Sequence, residues 1–313
     1  MLAIISSIGT IFLLIMLGYG LRYKSIPSEE YWQYADKLVY WVLFPCFLFY
    51  KISIIKLAPQ LIPEISGTLL PGMLIAVAFA WVVSRWFKLN SKACSSVVQA
   101  AGRHNTFIAL AIAESLFGEQ GLLLATLATA ILVPFTNIII VVLMVIILHT
   151  GEQHWAKKIA SDLVRNPILI AIFLGFAVNL SGVGTLPVIH PATSLLGSAT
   201  LPIVLLCIGA SMQFKGLKQT FSALMISSLA KFMVFPAVVL LLLISLEVNP
   251  EIAMILMIYA STPTAASGFA LARQMGGDYK LMASLISNQT LFSFLTMPVT
   301  IYFSLKLLGL EIL

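Results

Sequence analysis

The sequence predicts an all-α membrane protein of ten transmembrane helices arranged as two inverted repeats of five. Three observations carry this: an apolar composition, ten apolar runs of spanning length, and a shared offset between landmarks of the two halves. Of 313 residues, 60% are hydrophobic and 10% charged, and the mean hydropathy is +1.03. Soluble domains are about 25% charged, so this chain has too little polar surface to coat a soluble particle. The net charge of +6 does not indicate a nucleic-acid partner, because the basic residues lie mostly in short loops between apolar runs. Cys46, Cys94 and Cys207 have no metal-ligand spacing and read as packing residues.

A crossing needs about 20 apolar residues at about 1.5 Å each to pass about 30 Å of hydrocarbon. The qualifying runs are 2–21, 31–53, 65–87, 93–117, 120–148, 162–181, 193–213, 220–246, 250–274 and 279–308. The first is a span and not a signal peptide: no Lys or Arg precedes its apolar core, while Arg22 and Lys24 follow it. Polar or helix-breaking joints, such as Arg22 to Glu30, Lys88 to Lys92, Thr150 to Lys158 and Ser181 to Thr185, separate the runs. With both termini outside, the inside loops hold Arg22, Lys24, Arg85, Lys88, Lys92, Lys157, Lys158, Arg165, Lys215, Lys218, Arg273 and Lys280. The outside loops and tail hold only Lys51, Lys56 and Lys306, a strong positive-inside asymmetry.

The repeats cover 1–156 (spans 1–5) and 157–313 (spans 6–10). Ile15, Leu17, Gly18 and Tyr19 become Ile172, Leu174, Gly175 and Phe176 on adding 157, and Pro45 and Leu48 become Pro202 and Leu205. Gly118, Leu123, Ala125 and Leu127 become Gly276, Leu281, Ala283 and Leu285 on adding 158. An odd number of spans per repeat makes the second copy enter from the opposite side. Such inverted repeats characterise secondary transporters, whose substrate sites lie near the midplane where interrupted helices meet.

Breakers and polar residues at half depth locate those interruptions. Counting about 11 residues from Lys92 places Gly102-Arg103-His104-Asn105-Thr106 about 16 Å deep. The same count from Pro250 brings Ser261-Thr262-Pro263-Thr264 to equal depth from the other side. Pro263 lacks a backbone donor and Gly102 supplies backbone freedom, so both helices are predicted to open there. Arg at a bilayer centre costs at least about 2.5 kcal/mol on an insertion scale, which implies a use for Arg103: substrate contact, or donation to opened carbonyls. Lys231 reaches similar depth in the eighth span with no carboxylate at its level, which leaves three readings: loss of its proton, a bond to opened carbonyls, or attraction of an anion. Asn288, Gln289 and Thr290 of the tenth span offer amides and a hydroxyl there. With exposed helix N-termini, this balance favours an anionic substrate. His149, His154 and His190 fall in loops away from His104, and no HExxH, GxSxG or phosphate-binding glycine loop occurs, so no metal, cofactor or enzyme chemistry is expected.

These residues carry a family resemblance. The whole chain resembles the auxin efflux carrier family, which includes plant PIN-formed carriers and bacterial permeases for malate, malonate and similar acids. The motifs are Gly102 to Thr106 with the following Phe107 to Gly118, Pro263-Thr264-Ala265 running into Ala272 to Asp278, and Lys231 shortly before Pro236. The resemblance implies a fold like that of sodium/proton antiporters and bile-acid symporters, with spans 4 and 9 crossing at their breaks. It further implies a scaffold of spans 1, 2, 6 and 7, a transport domain of spans 3–5 and 8–10, and a homodimer formed through the scaffold. The family's substrate-contacting Asn falls on Asn105 and its second-crossover proline on Pro263. His104 stands where PIN-type carriers have Pro, which shifts the expectation from auxin toward a more strongly anionic substrate. Thr and Pro at the second crossover speak against a bile-acid-symporter sodium site.

The expected function is therefore secondary transport of a small organic anion, a mono- or dicarboxylate, across the inner (plasma) membrane by alternating access. The expected substrate-binding set is Arg103, His104, Asn105, Thr106, Lys231, Thr262, Pro263, Thr264, Asn288 and Gln289. His104, which titrates near neutrality when unperturbed, is the candidate for proton coupling. The alternative is a membrane sensor or channel of the same fold without coupled transport.

Overall fold

The computed structural model describes residues 2–56, 60–148, 164–214 and 221–309. All regular elements among them are helical. In chain order they are α1 (Leu2–Tyr23), α2 (Glu29–Ile54), α3 (Leu61–Trp86), α4 (Ser91–Gly102), α5 (Thr106–Leu148), α6 (Pro167–Ser181), α7 (Ile189–Ser211), α8 (Phe221–Ser245), α9 (Pro250–Ser261), α10 (Ser267–Gln274) and α11 (Tyr279–Leu307). Seven stretches are long and apolar enough to cross a membrane, namely α1, α2, α3, the 58 residues Ser91–Leu148, α7, α8 and α11; α6 and α9 are shorter apolar helices. If straight, Ser91–Leu148 would extend about 87 Å at about 1.5 Å per residue, far more than one crossing. It is divided at Arg103–Asn105 and again at Gly118, whose φ of 61° and ψ of −151° turn the chain inside α5. Glycine alone adopts that backbone without a side-chain penalty.

Local chemistry explains the starts and bends. Asn90, Asn166, Asn249 and Asp278 each accept a backbone N–H of the first turn that follows, capping α4, α6, α9 and α11. Two helices widen into a five-residue π-turn, Val39–Leu43 in α2 and Ala230–Val234 in α8. A Phe-Pro pair follows each turn, Phe44-Pro45 and Phe235-Pro236. Proline has no N–H and its ring crowds the carbonyl four residues back, so the helix relaxes by bonding five residues back. The Phe44 N–H accordingly reaches Val39 O, and the Phe235 N–H reaches Ala230 O.

The predicted starts at 162 and 220, together with His149, His154, Lys157, Lys158, Lys215 and Lys218, lie outside the described residues. His190 corrects the sequence reading, which placed it in a loop. It sits in the first turn of α7 and is 3% exposed. Its Nδ1 accepts the Leu186 N–H at 2.9 Å and its Nε2 lies 2.9 Å from Ser53 Oγ on α2. A buried imidazole with both nitrogens partnered closes that end of the α2, α6 and α7 packing.

Extensive helix pairs include α1 with α7 and α2 with α6. Both close on glycine, as expected where helix backbones approach through small residues. A Cβ on Gly18 would fall on the Leu206 carbonyl, and one on Gly209 on the Ile15 carbonyl. Gly175 of α6 lies against Ile52 and the Phe49 carbonyl of α2, and Gly197 of α7 against the Phe47 backbone. These contacts bind α1, α2, α6 and α7 into one group. Helices α3, α4, α5, α8, α9, α10 and α11 pack among themselves as a second, and α5 and α11 touch α1 across the seam. Apolar side chains such as Phe173, Leu195, Leu241 and Leu295 face outward, as a hydrocarbon solvent requires. Gly209→Ala is expected to cost about 1–3 kcal/mol by overpacking, read as a lower melting temperature in detergent. Gly9→Ala, whose added Cβ meets nothing within 4 Å, should leave it unchanged.

Candidate functional site

Two short helices of equal length define the centre of the molecule. Helices α4 and α9 have 12 residues each, start at an asparagine cap, and end in extended backbone at Arg103 and Thr262. Twelve residues rise about 18 Å, half of a membrane's thickness. The chain stays non-helical through Arg103–Asn105 and through Thr262–Ala266 before α5 and α10 begin. The two interruptions are joined directly: the Asn105 N–H donates to the Pro263 carbonyl at 2.8 Å. Beside that bond the Thr264 N–H donates to Gln289 Oε1 at 3.1 Å, and Thr262 Oγ1 turns back to the Tyr259 carbonyl at 2.8 Å. These bonds satisfy backbone groups of both breaks inside the protein, as their position demands.

Side chains of the first interruption face a cavity of about 1060 Å³. Arg103, His104, Asn105 and Thr106 line it, together with Phe107 and with Ala265, Ala266 and Ser267 from the second interruption. The first residues of α5 and of α10 therefore both border this space. The cavity runs to the end of the molecule where Arg22, Arg165 and Arg273 also line it. Arg22 pairs there with Glu29 at 2.9 Å and donates to the Ala210 carbonyl.

Asn105 and Arg103 of the first tract make side-chain hydrogen bonds. The Asn105 Oδ1 accepts the Ile108 N–H at 3.2 Å and caps α5. Arg103 does not reach the opened carbonyls; its Nη1 donates to Ser267 Oγ at 3.1 Å, and its stem lies along Gly268, where a Cβ would approach Arg103 Cδ to 3.5 Å. Among the described residues, Arg103 Nε and His104 Nε2 are buried without a hydrogen-bond partner. The His104 ring stands edge-on to Tyr259, with centroids 5.7 Å apart. Tyr259 is anchored in turn, its hydroxyl donating to the Ala125 carbonyl at 2.7 Å and meeting Thr129 Oγ1.

The other predicted residues stand behind this wall. Lys231, Thr262, Pro263, Thr264, Asn288 and Gln289 are buried but do not line the cavity. Lys231 lies in the π-turn of α8, which packs against α3, α4 and α9. Its Nζ stands 4.6 Å from the Phe235 ring centroid and has no hydrogen-bond partner among the described residues. The Asn288 amide is used within its own helix, donating to the Ser284 carbonyl at 2.8 Å. Sequence reasoning missed Ser267, the partner of Arg103, and the Phe44–Phe107 pair on the cavity wall, whose centroids are 4.6 Å apart. The signal for Ser267 was its place at the start of the helix after the second break; two phenylalanines in apolar spans carried none.

A family model described as membrane transport protein matches residues 3–301. An uncharacterized transporter of Methanocaldococcus jannaschii is 25% identical over 303 residues, covering 92% of this chain and 95% of that protein. An uncharacterized transporter of Methanothermobacter thermautotrophicus is 24% identical over 299 residues, covering 93% and 95%. Both matches run through the interruptions and the cavity wall.

The cap and the site can be separated experimentally. Asn105→Ala is expected to lose about 1 kcal/mol of stability through the lost cap, and Asn105→Ser to keep most of it, as measured by thermal unfolding in detergent. Equal losses in the two variants would mean that the cap oxygen does not hold α5.

Proposed function

The chain belongs to the membrane transport protein family, and on that premise we propose that it is a secondary transporter moving a small organic anion, a mono- or dicarboxylate, by alternating access. The observation that carries the substrate charge is the wall of the cavity at the interruptions. The Arg103 side chain and the N-terminal residues of α5 and α10 border the same space, and helix N-termini add positive potential and free N–H donors. The carboxylates on the cavity wall, Glu29 and Asp36, belong to the first two turns of α2, toward the basic end. In this reading Asn105 and Arg103 contact the substrate, His104 carries a coupling proton, and Thr106 adds a hydroxyl. Lys231, Thr262, Pro263, Thr264, Asn288 and Gln289 support the opened backbone from behind.

The same reading has ten crossings in a 5+5 inverted repeat, with Ser91–Leu148 supplying two and α9 with α10 one. Paired packing supports the repeat: Gly18 faces Leu206, and their counterparts at an offset of 157, Gly175 and Phe49, also face each other. The group α1, α2, α6 and α7 is the scaffold and the homodimer surface, and the second group is the moving part. Both termini lie outside the plasma membrane and the basic end lies inside, so the cavity opens toward the cytoplasm.

Uptake of radiolabelled malate into proteoliposomes, with and without a pH gradient, tests the proposal. Losing charge-assisted hydrogen bonds costs about 1.5–3 kcal/mol, so Arg103→Gln should reduce uptake by about tenfold or more. Uptake no greater than in empty liposomes, across a panel of small mono- and dicarboxylates, would overturn the anion assignment.

A further inference from the structure

A second pocket, of about 380 Å³, lies between the same two helix groups. It sits toward the end of the molecule that holds Lys51 and Glu114, away from the basic end. It shares no lining residue with the large cavity, yet the two spaces interleave on three helices. On α2, Phe44 lines the cavity and Phe47 the pocket; on α5, Phe107 lines the cavity and Ala111 the pocket; on α7, Val204 lines the cavity and Leu205 the pocket. Residues one to four apart in a helix are separated along its axis by about 1.5–6 Å. The wall between the spaces is therefore a single layer of side chains.

Aromatic rings make that layer. Phe44 meets Phe107 edge-on at 4.6 Å and lies nearly parallel to Phe47, with centroids 6.1 Å apart and planes 18° apart. Phe44 and Phe47 are 2% and 4% exposed, so the layer is filled. The Phe44–Phe107 contact also joins α2 of one packing group to α5 of the other. Relative movement of the groups changes this contact, and its loss would make the two spaces continuous.

The chemistry of the smaller pocket suits passage better than retention. Lys51 is already paired with Glu119 at 3.2 Å, and Glu114 is on the pocket wall, so no cation is left over to hold an anion there. Thr10, Ser115, Ser194 and Ser198 give it a wettable lining. We propose that this pocket is the far vestibule of the substrate pathway, a low-affinity release site for the same organic anion, and that the Phe44–Phe107 contact is the bar closing it from the binding cavity. The proposal rests on the transporter reading above.

Sided labelling tests it without substrate. In a chain with Cys46, Cys94 and Cys207 replaced by serine, Ser198→Cys reports the pocket and Ser211→Cys the cavity; both positions are exposed. In sealed vesicles, a membrane-impermeant thiol reagent should label Ser198→Cys from one side and Ser211→Cys from the other. Adding Phe44→Ala and Phe107→Ala should let the reagent reach Ser211→Cys from the pocket side about tenfold faster, because the aromatic contact and its bulk are both gone. Phe107→Leu, which keeps an apolar plug, should stay near the unsubstituted rate. Phe107→Ala alone serves if the double variant does not run as a single species in gel filtration. Labelling of both reporters from one side in the parent, or no acceleration in a well-folded alanine variant, overturns the proposal. If the labelling holds while no organic acid is taken up, the substrate assignment alone is wrong.

Discussion

The hydrogen bond from the Asn105 N–H to the Pro263 carbonyl is the constraint around which the rest of the molecule is built. An interrupted helix at mid-membrane exposes peptide groups that lipid cannot solvate, each costing several kcal/mol if unpaired. One interruption would need water or side chains for all of its groups. Two that meet can satisfy part of each other, and Gln289, Asn105 and Thr262 bond further groups nearby. The requirement that they meet fixes other things: half-helices of equal length, and α5 and α10 starting beside one space.

The division into two packing groups follows from how the remaining helices are held. Within α1, α2, α6 and α7, backbones approach at glycines, leaving little freedom to slide. Across the seam the contacts are between bulky side chains, such as Phe12 with Phe294 at 5.2 Å and Phe44 with Phe107 at 4.6 Å. Side chains can exchange partners by rotamer changes, whereas interlocked glycine contacts cannot without separating the helices. The seam is also where both internal spaces are found.

Much of this was legible in the sequence because membrane burial leaves strong signals. The all-helical class, the joint at Gly118 and both breaks follow from apolar run length and from Gly102 and Pro263. Counting residues gives the depth of a side chain but not the direction in which it points. Arg103, His104 and Asn105 line the cavity because a break turns its own side chains toward the space it opens. Lys231 and Gln289 have the right depth but the wrong azimuth for the cavity, a matter decided by packing against helices far away in sequence. His190 beside Pro191 resembled a loop residue, and only Ser53, 137 positions away, accounts for its burial. Donation to opened carbonyls was one of the two uses expected of Arg103; its guanidinium instead bonds the Ser267 hydroxyl, which comes near only because the two breaks meet.

The π-turn in α2 has a consequence for how this helix tolerates changes in length. Asp36, Tyr40 and Phe44 all line the cavity, one every four residues. In a regular helix of about 3.6 residues per turn, eight residues overshoot two turns by about 80°, which would rotate Phe44 away from Asp36. The wider turn at Val39–Leu43 absorbs that excess and keeps the three on one face. Deleting one of those five residues leaves seven steps from Asp36 to the same phenylalanine, about 20° short of two regular turns, so ordinary winding would take over with the aromatic layer still facing the cavity. The wide turn thus holds the one residue that regular winding has no place for, and the two faces of α2 stay in register with or without it.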